Sequence, residues 1–227
     1  NILCYSATPY KQAFPEALKD LMNRVSNAHI TNKVGLKTDI DSRLSWLDNY
    51  FENLKHLPDS PPIDVLKGRF KGKPMVIVGA GPSLKKNAHL LKDIKGKALI
   101  IAAITAYKPL LKYGVIPDFV IASEKVDLPE YFTNGAEDRK TRLILAEVSH
   151  PGMFSREVKE KFVFFNPYIS LSLEQSRHWG SDYFPEIGGS VTTAALDMGV
   201  MFGCSPIVFI GQDLCFGADA THAPGGV

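Results

Sequence analysis

The sequence predicts a doubly wound α/β fold: a mostly parallel, Rossmann-like sheet with helices on both faces, preceded by a small helical region. Three observations carry that expectation. Short apolar runs without polar alternation, among them Met75–Val78, Ala98–Ala103 and Ile207–Ile210, have the pattern of strands buried on both faces. The stretches between them are long enough for crossover helices. A glycine turn, Gly79-Ala80-Gly81-Pro82-Ser83, follows the first run directly and leads into a helix-forming segment.

Residues 1–70 read as helical and accessory, and residues 71–227 as the sheet domain. Leu18, Leu21, Met22 and Val25 recur at helical spacing within 14–28. Leu44, Leu47, Tyr50, Phe51 and Leu54 form a second stripe within 41–57, so two helices are expected. His56 falls at the end of the second, where a solvated or dipole-facing residue is expected. Pro58, Pro61 and Pro62 end it and make a linker. Lys67, Arg69, Lys71 and Lys73 form a basic cluster, read first as a solvated face and second as a phosphate attractor.

Strand and helix then alternate. Met75–Val78 is followed by a helix over about 84–93, and Ala98–Ala103 by a helix over 106–113 that stops at Gly114. Pro117 and Asp118 introduce the strand Phe119–Ala122, and Arg142–Ala146 and Phe162–Phe165 follow as strands. A small-residue helix opened by Gly188–Ser190 runs through Phe202, and Ile207–Ile210 is the last strand.

Composition narrows the classes. A chain of 227 residues, 45% hydrophobic and 22% charged, can bury one sizeable α/β core. A net charge of +2 argues against bulk nucleic-acid binding. No apolar run is long enough to span a bilayer as a helix. Cys4, Cys204 and Cys215 lack C-x-x-C spacing, which points to a reducing, cytoplasmic setting without a disulfide frame or zinc site. The chain has no initiator Met and ends in the loop 223–227, so it reads as a piece of a longer protein, truncated at its C-terminus.

A strand, a glycine turn and a helix N-terminus make a seat for an anion, most often phosphate. Gly79, Ala80, Gly81, Pro82 and Ser83 are the candidates there, and a plain tight turn is the structural alternative. A dinucleotide fingerprint would need glycine at position 84 and an acid ending the second strand; Leu84 and Ala102–Thr105 stand there, which argues against NAD. Lysine followed by Ser or Thr at P-loop spacing is also missing.

Open parallel sheets bind ligands beyond the carboxyl ends of their strands. Polar residues stand at those exits: Thr105, then Ser123-Glu124-Lys125 with Asp127, then Asn166, then Gln212 and Asp213. Each alone could be a helix cap or turn residue; together they indicate a site. Gly188, Gly189 and Ser190 form a second helix-opening turn with free amides, although small residues there also serve helix–sheet packing. His222, in the loop T-H-A-P-G-G, is the candidate for proton transfer, with His150 a weaker one.

Together V-G-A-G-P-S-L at 78–84, I-P-D-F at 116–119, G-G-S-V-T-T at 188–193, F-I-G-Q-D-L at 209–214 and T-H-A at 221–223 resemble one family. It is the domain shared by bacterial motility accessory factors and archaeal hydroxymethyl-dihydropterin diphosphokinases, and the resemblance covers about residues 42–227. W-L-D-N-Y-F-E-N-L at 46–54 looks like the bacterial branch. A more distant likeness is to small α/β bacterial sialyltransferases, which share the G-x-G-P-S-L opening, the small-residue helix, the G-x-D exit and a later catalytic histidine. They carry asparagine where this chain has Ala80, and their phosphate-binding tyrosine pair has no counterpart here.

The resemblance implies transfer of a sialic-acid-like nonulosonate from a CMP-type nucleotide-sugar donor to Ser or Thr of a protein such as flagellin. The two turns would hold the donor, His222 would act as base or acid, and Asp213 and Glu124 would orient substrate or histidine. The alternative it implies is pyrophosphate transfer from ATP to a hydroxymethyl pterin, with Mg²⁺ on Glu124, Asp127 and Asp213. A third expectation is a non-catalytic nucleotide-binding module. No metal site is otherwise expected.

Overall fold

The computed structural model describes residues 8–167 and 169–214. The chain divides into two compact units, one ending at Ser45 and the other beginning at Trp46. The first holds helix α1 (Thr8–Ala13) and the greater part of α2 (Pro15–Asn53). The two apolar stripes predict two helices; the structure has one continuous helix of 39 residues. No proline interrupts the stretch between them, and Gly35 inside a helix costs only about 1 kcal/mol.

The second unit is built on six parallel strands: β1 (Met75–Val78), β2 (Leu99–Ala103), β3 (Phe119–Ala122), β4 (Arg142–Ala146), β5 (Glu160–Phe164) and β6 (Ile207–Ile210). Their order is β5-β4-β3-β2-β1-β6, with Met75 beside both Leu99 and Ile207, Ile101 beside Phe119, and Arg142 beside Phe119 and Glu160. Every residue of β1, β2 and β3 is buried, as their unbroken apolar runs require. Strand β5 starts two residues earlier than Phe162–Phe165 implies, because Glu160 and Lys161 extend the ladder with β4 at its exposed end.

Alternate residues of each strand serve different layers. Met75, Ile77, Leu99, Ile101, Phe119 and Ile121 face α8 (Val191–Met201), meeting Ala194, Ala195 and Met198. Residues 46–70 add Tyr50, Ile63 and Leu66 to this layer. On the other face Val76, Val78, Ile100 and Ala102 pack against α3 (Leu84–Asn87), α4 (Leu91–Ile94) and α5 (Ile104–Lys112). Val120, Leu143, Leu145 and Val163 meet Tyr107 and α6 (Pro151–Phe154) there. Helix α7 (Ser170–His178) links β5 towards α8.

Crossovers that step from β1 out to β5 share one face, and the return to β6 uses the other. That is the right-handed crossover rule applied in two directions. The strand order therefore reverses at β1.

Three local expectations change. The helix predicted over 84–93 is two single turns, α3 and α4, joined by a 3₁₀ turn at Ala88–Leu90. Lys67–Lys73 lies at the amino end of the sheet: Gly68, Phe70 and Gly72 donate to the carbonyls of Met201, Phe202 and Gly203. It is therefore remote from the strand exits, and phosphate attraction to them is not its role. His56 is half-buried; it stacks on Phe154 at 5.9 Å, and burial, then Lys55 and Lys161, push its pKa down.

The long connection from β3 to β4 is pinned by a buried acid. Asp138 accepts from the Tyr107 hydroxyl (2.8 Å), from the amides of Thr133 and Asn134, and from the Thr133 hydroxyl. Burial raises the Tyr107 pKa strongly, so the phenol stays a donor. Tyr107→Phe is expected to lower stability by about 1.5–3 kcal/mol, the range for a hydrogen bond to a charged group. Urea denaturation measures it, and no loss would show the loop held by the other three donors alone.

Candidate functional site

Because all strands are parallel, all six exits lie on one rim. Helix α8 runs back against the strands, so its first turn, with Ser190, lies on the same rim. The residues of β1, β2 and β3 are buried, while edge strand β6, expected to be buried on both faces, leaves Val208 and Phe209 exposed. The next polar groups are half-buried: Ser83 after β1, Thr105 after β2, Ser123 and Glu124 after β3, Asn166 after β5, Gln212 and Asp213 after β6. The order reverses at β1, so the β1 and β6 exit loops diverge to opposite faces, which is where open α/β sheets take their ligands.

Here those two loops are tied together. Gly79 N–H donates to the Ile210 carbonyl (2.9 Å) and Gly81 N–H to the Gly211 carbonyl (2.8 Å). Ser83 N–H donates to Asp213 Oδ2 at 3.0 Å. The expected ligand at Gly79 and Gly81 is matched in the structure by the chain's own backbone: a Cβ on Gly81 would run into the Asp213 carboxylate and the Gly211 carbonyl. Ala80 is buried and Pro82 half-buried beside this seam. Helix α3 is a single turn, so it brings little of the dipole that a long helix N-terminus offers an anion.

Asp213 is the acid at this seam. Hydrogen bonds from the Ser83 hydroxyl and amide, with a small contribution from Lys86, hold its carboxyl below the usual aspartate range. An acid depressed in this way stabilises the fold at neutral pH, and the contribution is lost as pH falls through its lowered pKa. Asp213→Asn is expected to remove that part of the acid limb of a stability–pH curve; an unchanged acid limb would show the contact to be dispensable.

The second turn pairs some of its own amides. Ser190 Oγ accepts from Thr192 N–H, Gly188 N–H donates to Thr193 Oγ1 at 2.9 Å, and Thr193 Oγ1 donates to the Ser190 carbonyl. Gly188 and Gly189 are exposed.

The rim separates some of the expected partners. The β1, β2 and β6 exits are neighbours and gather 79–83, Thr105, Gln212 and Asp213. Glu124 lies one strand beyond Thr105. Asn166 is at the far edge, five spacings of about 4.8 Å, or about 24 Å, from Gln212.

Glu124, Asp127 and Asp213 do not form one ligand set. The β3 and β6 exits are three spacings, or about 14 Å, apart. Asp127 accepts from Arg156 Nη2 (2.9 Å) and from Leu128 N–H. Among the described residues no three His, Cys, Asp or Glu are placed to hold a metal ion. His150 is a cap: its Nδ1 accepts from Gly152 N–H at 3.1 Å, and its own N–H donates to the Glu124 carbonyl. His222 lies outside the described residues, as do Cys4 and Cys215; Cys204 is a buried free thiol.

One rim residue escapes the sequence reading. Glu147 follows β4 directly, is fully buried, and accepts from Asn166 N–H at 2.9 Å. Its signal was its position, since it is the first polar residue after the run L-I-L-A.

This architecture defines a doubly wound α/β protein with polar loops gathered where the strand order reverses. Residues 48–219 match the family described as 6-hydroxymethylpterin diphosphokinase MptE-like, and the chain belongs to that family. It is 35% identical over 97 residues to a 6-hydroxymethyl-7,8-dihydropterin pyrophosphokinase of Methanocaldococcus jannaschii, covering 41% of this chain and 38% of the relative. An uncharacterized protein of Treponema pallidum is 24% identical over 137 residues, 59% of this chain and 60% of that protein. Among solved structures, one described as a MAf glycosyltransferase from Magnetospirillum magneticum AMB-1 matches with a TM-score of 0.54 and 25% identity, over 63% of this chain and 23% of that one. The chain thus spans less than two thirds of each. Among the described residues no helix is long and apolar enough to cross a membrane.

Proposed function

We propose that this protein is a transferase of the motility accessory factor type, moving a nonulosonate from a CMP-type nucleotide-sugar donor to a Ser or Thr hydroxyl of a protein such as flagellin. The observation that carries this reading is the likeness to a structure described as a glycosyltransferase, at 25% identity and a TM-score above 0.5. The row of half-buried polar groups at the β2, β1 and β6 exits supports it, because a donor needs accessible hydrogen-bonding groups on a rigid floor. Ser83, Thr105, Gln212 and the 188–190 turn would hold the donor. The acceptor oxygen would attack the anomeric carbon as its bond to the phosphate oxygen breaks, with His222 taking the hydroxyl proton and CMP leaving. Fixed donors aimed at the departing phosphate would lower that barrier. Glu124 would orient the acceptor. A nucleotide-sugar donor also fits a cytoplasmic protein.

Pyrophosphate transfer from ATP to a hydroxymethyl pterin is the second reading, favoured by the 35% identity to a protein of that description. It needs Mg²⁺ bridging ATP phosphates with one or two carboxylates, and Glu124 at the β3 exit is the acid available for that.

A thermal-shift series separates the two. The expected result is stabilisation by CMP or a CMP-sugar without added metal, by about 2.7 kcal/mol at a hundredfold excess over Kd. Stabilisation by ATP with Mg²⁺ alone would replace the first reading with the second, and no response to either would leave a non-catalytic module. His222→Ala should abolish transfer while preserving the CMP shift; transfer that survives the substitution would remove His222 from the mechanism.

A further inference from the structure

A second polar cluster lies on the same rim, at the β4 and β5 exits, and the transferase reading does not use it. Asn53, Glu147, Ser149, Ser172 and Ser176 are all completely buried. Asn53 Nδ2 donates to the carbonyls of Glu147 (2.8 Å) and Ser149 (2.6 Å). One turn earlier on α2, Asn49 Nδ2 donates to the carbonyls of Lys125 and Val148, both at 3.1 Å. Tyr50 donates to the Leu171 carbonyl or Gln175 Oε1 of α7, each at 3.3 Å. The last turns of α2, the β4 and β5 exits and α7 are thereby fastened around Glu147.

The Glu147 carboxyl itself is under-satisfied. Oε1 accepts from Asn166 N–H, while Oε2 is buried with no partner. The Ser172 hydroxyl and the nearby amides pull the carboxyl's pKa down, and burial outweighs them; the hydroxyl is itself buried and forms no full hydrogen bond. Among the described residues the groups acting on the carboxyl are Tyr50 from α2, Ser172 from α7, the Asn166 amide from the β5 exit, and the amides of Glu147 and Val148; Asn53 holds the backbone carbonyl of Glu147. Among the described residues no Lys, Arg or His acts on it, and Tyr50, the titratable neighbour there, is uncharged. A carboxylate buried without a countercharge is costly, and the group relieves the cost by keeping its proton. A proton on Oε2 turns an orphaned acceptor into a donor, with the Ser172 oxygen available to receive it.

We propose that Glu147 folds as the neutral acid and acts as a proton-dependent latch, fastening the end of α2, the Asn166 loop and α7 to the rim while protonated and loosening them when it ionises. Burial raises its pKa from 4.5 to about 7. The sign follows from linkage. Below about 4.5 both folded and unfolded chains hold the proton. Between 4.5 and about 7 the unfolded chain releases it first, so stability falls as pH rises, and above about 7 the loss is complete. The latch would thus respond across the neutral range, and it does not rest on the transferase reading.

The experiment compares urea unfolding of the wild type and Glu147→Gln at several pH values from about 5 to about 8.5. The wild-type midpoint should fall through this range more steeply than that of the variant, whose amide imitates the neutral acid. At the upper end the variant should be the more stable. Amide exchange at Asn166 and in α7 should quicken with pH, beyond the intrinsic chemical rate, in the wild type alone. Parallel pH profiles, or a variant weaker than wild type throughout, would overturn the proposal. If the variant does not fold, infrared spectroscopy of the wild type decides: a protonated-carboxyl band at pH 6 that is lost on titration supports the latch, and its absence at pH 6 overturns it.

Discussion

Gly211→Ala should unseat the join between the β1 and β6 exits and lower stability by about 2–4 kcal/mol. Gly211 sits at φ +63°, in the left-handed region, where a side chain costs about 1 kcal/mol or more. Its added Cβ would also collide with the Gly79 carbonyl and press on Leu84 Cβ. The first obstacle is backbone, so a loop must move, and overpacking of this kind costs about 1–3 kcal/mol. Gly96→Ala is the control. It carries the same backbone cost at φ +84° with nothing within 4 Å of the new Cβ, and should cost about 1 kcal/mol. If the two substitutions cost the same in urea, the 79–83 and 211–213 loops are not in rigid contact. Where the transferase reading holds, Gly211→Ala should also remove the nucleotide-induced thermal shift, because Ser83 and Gln212 are positioned by this seam.

Asn53→Ala should be comparably damaging at the other end of the rim. Its side chain is the donor to two carbonyls in a wholly buried setting. Alanine leaves both without that donor, at about 1–3 kcal/mol each, or about 2–6 kcal/mol in all. Equilibrium unfolding gives the total. Hydrogen exchange should show the loosening confined to α7 and the β4 and β5 exits, with the β1–β6 seam unaffected. A cost below about 1 kcal/mol would mean that the end of α2 is held to the sheet by apolar packing alone.

How much could be read beforehand differs between backbone and site. The strands were legible because a segment buried on both faces must be apolar at every position, as in Met75–Val78 and Leu99–Ala103. The single long α2 was less so, since two stripes with Gly35 between them look the same whether or not the helix continues. The break between α3 and α4 left no signal, as no proline or glycine marks it. Glycines at 79, 81 and 211 announce that something comes close, but one chain segment cannot say whether that is a ligand or another loop. The structure brings 211–213 there.

Alone, then, the sequence determined the local events: which runs become strands, where turns fall, and that polar residues follow the strands. These depend on neighbours in the chain and on the hydrophobic pattern. Tertiary structure decided what those polar residues do. Strand order sets Glu124 about 14 Å from Asp213, ties Asp213 to Ser83, and buries Glu147 where no countercharge stands among the described residues. Charge, burial and hydrogen-bond partners belong to a place in space, and residues far apart in the chain create that place only once the sheet has assembled.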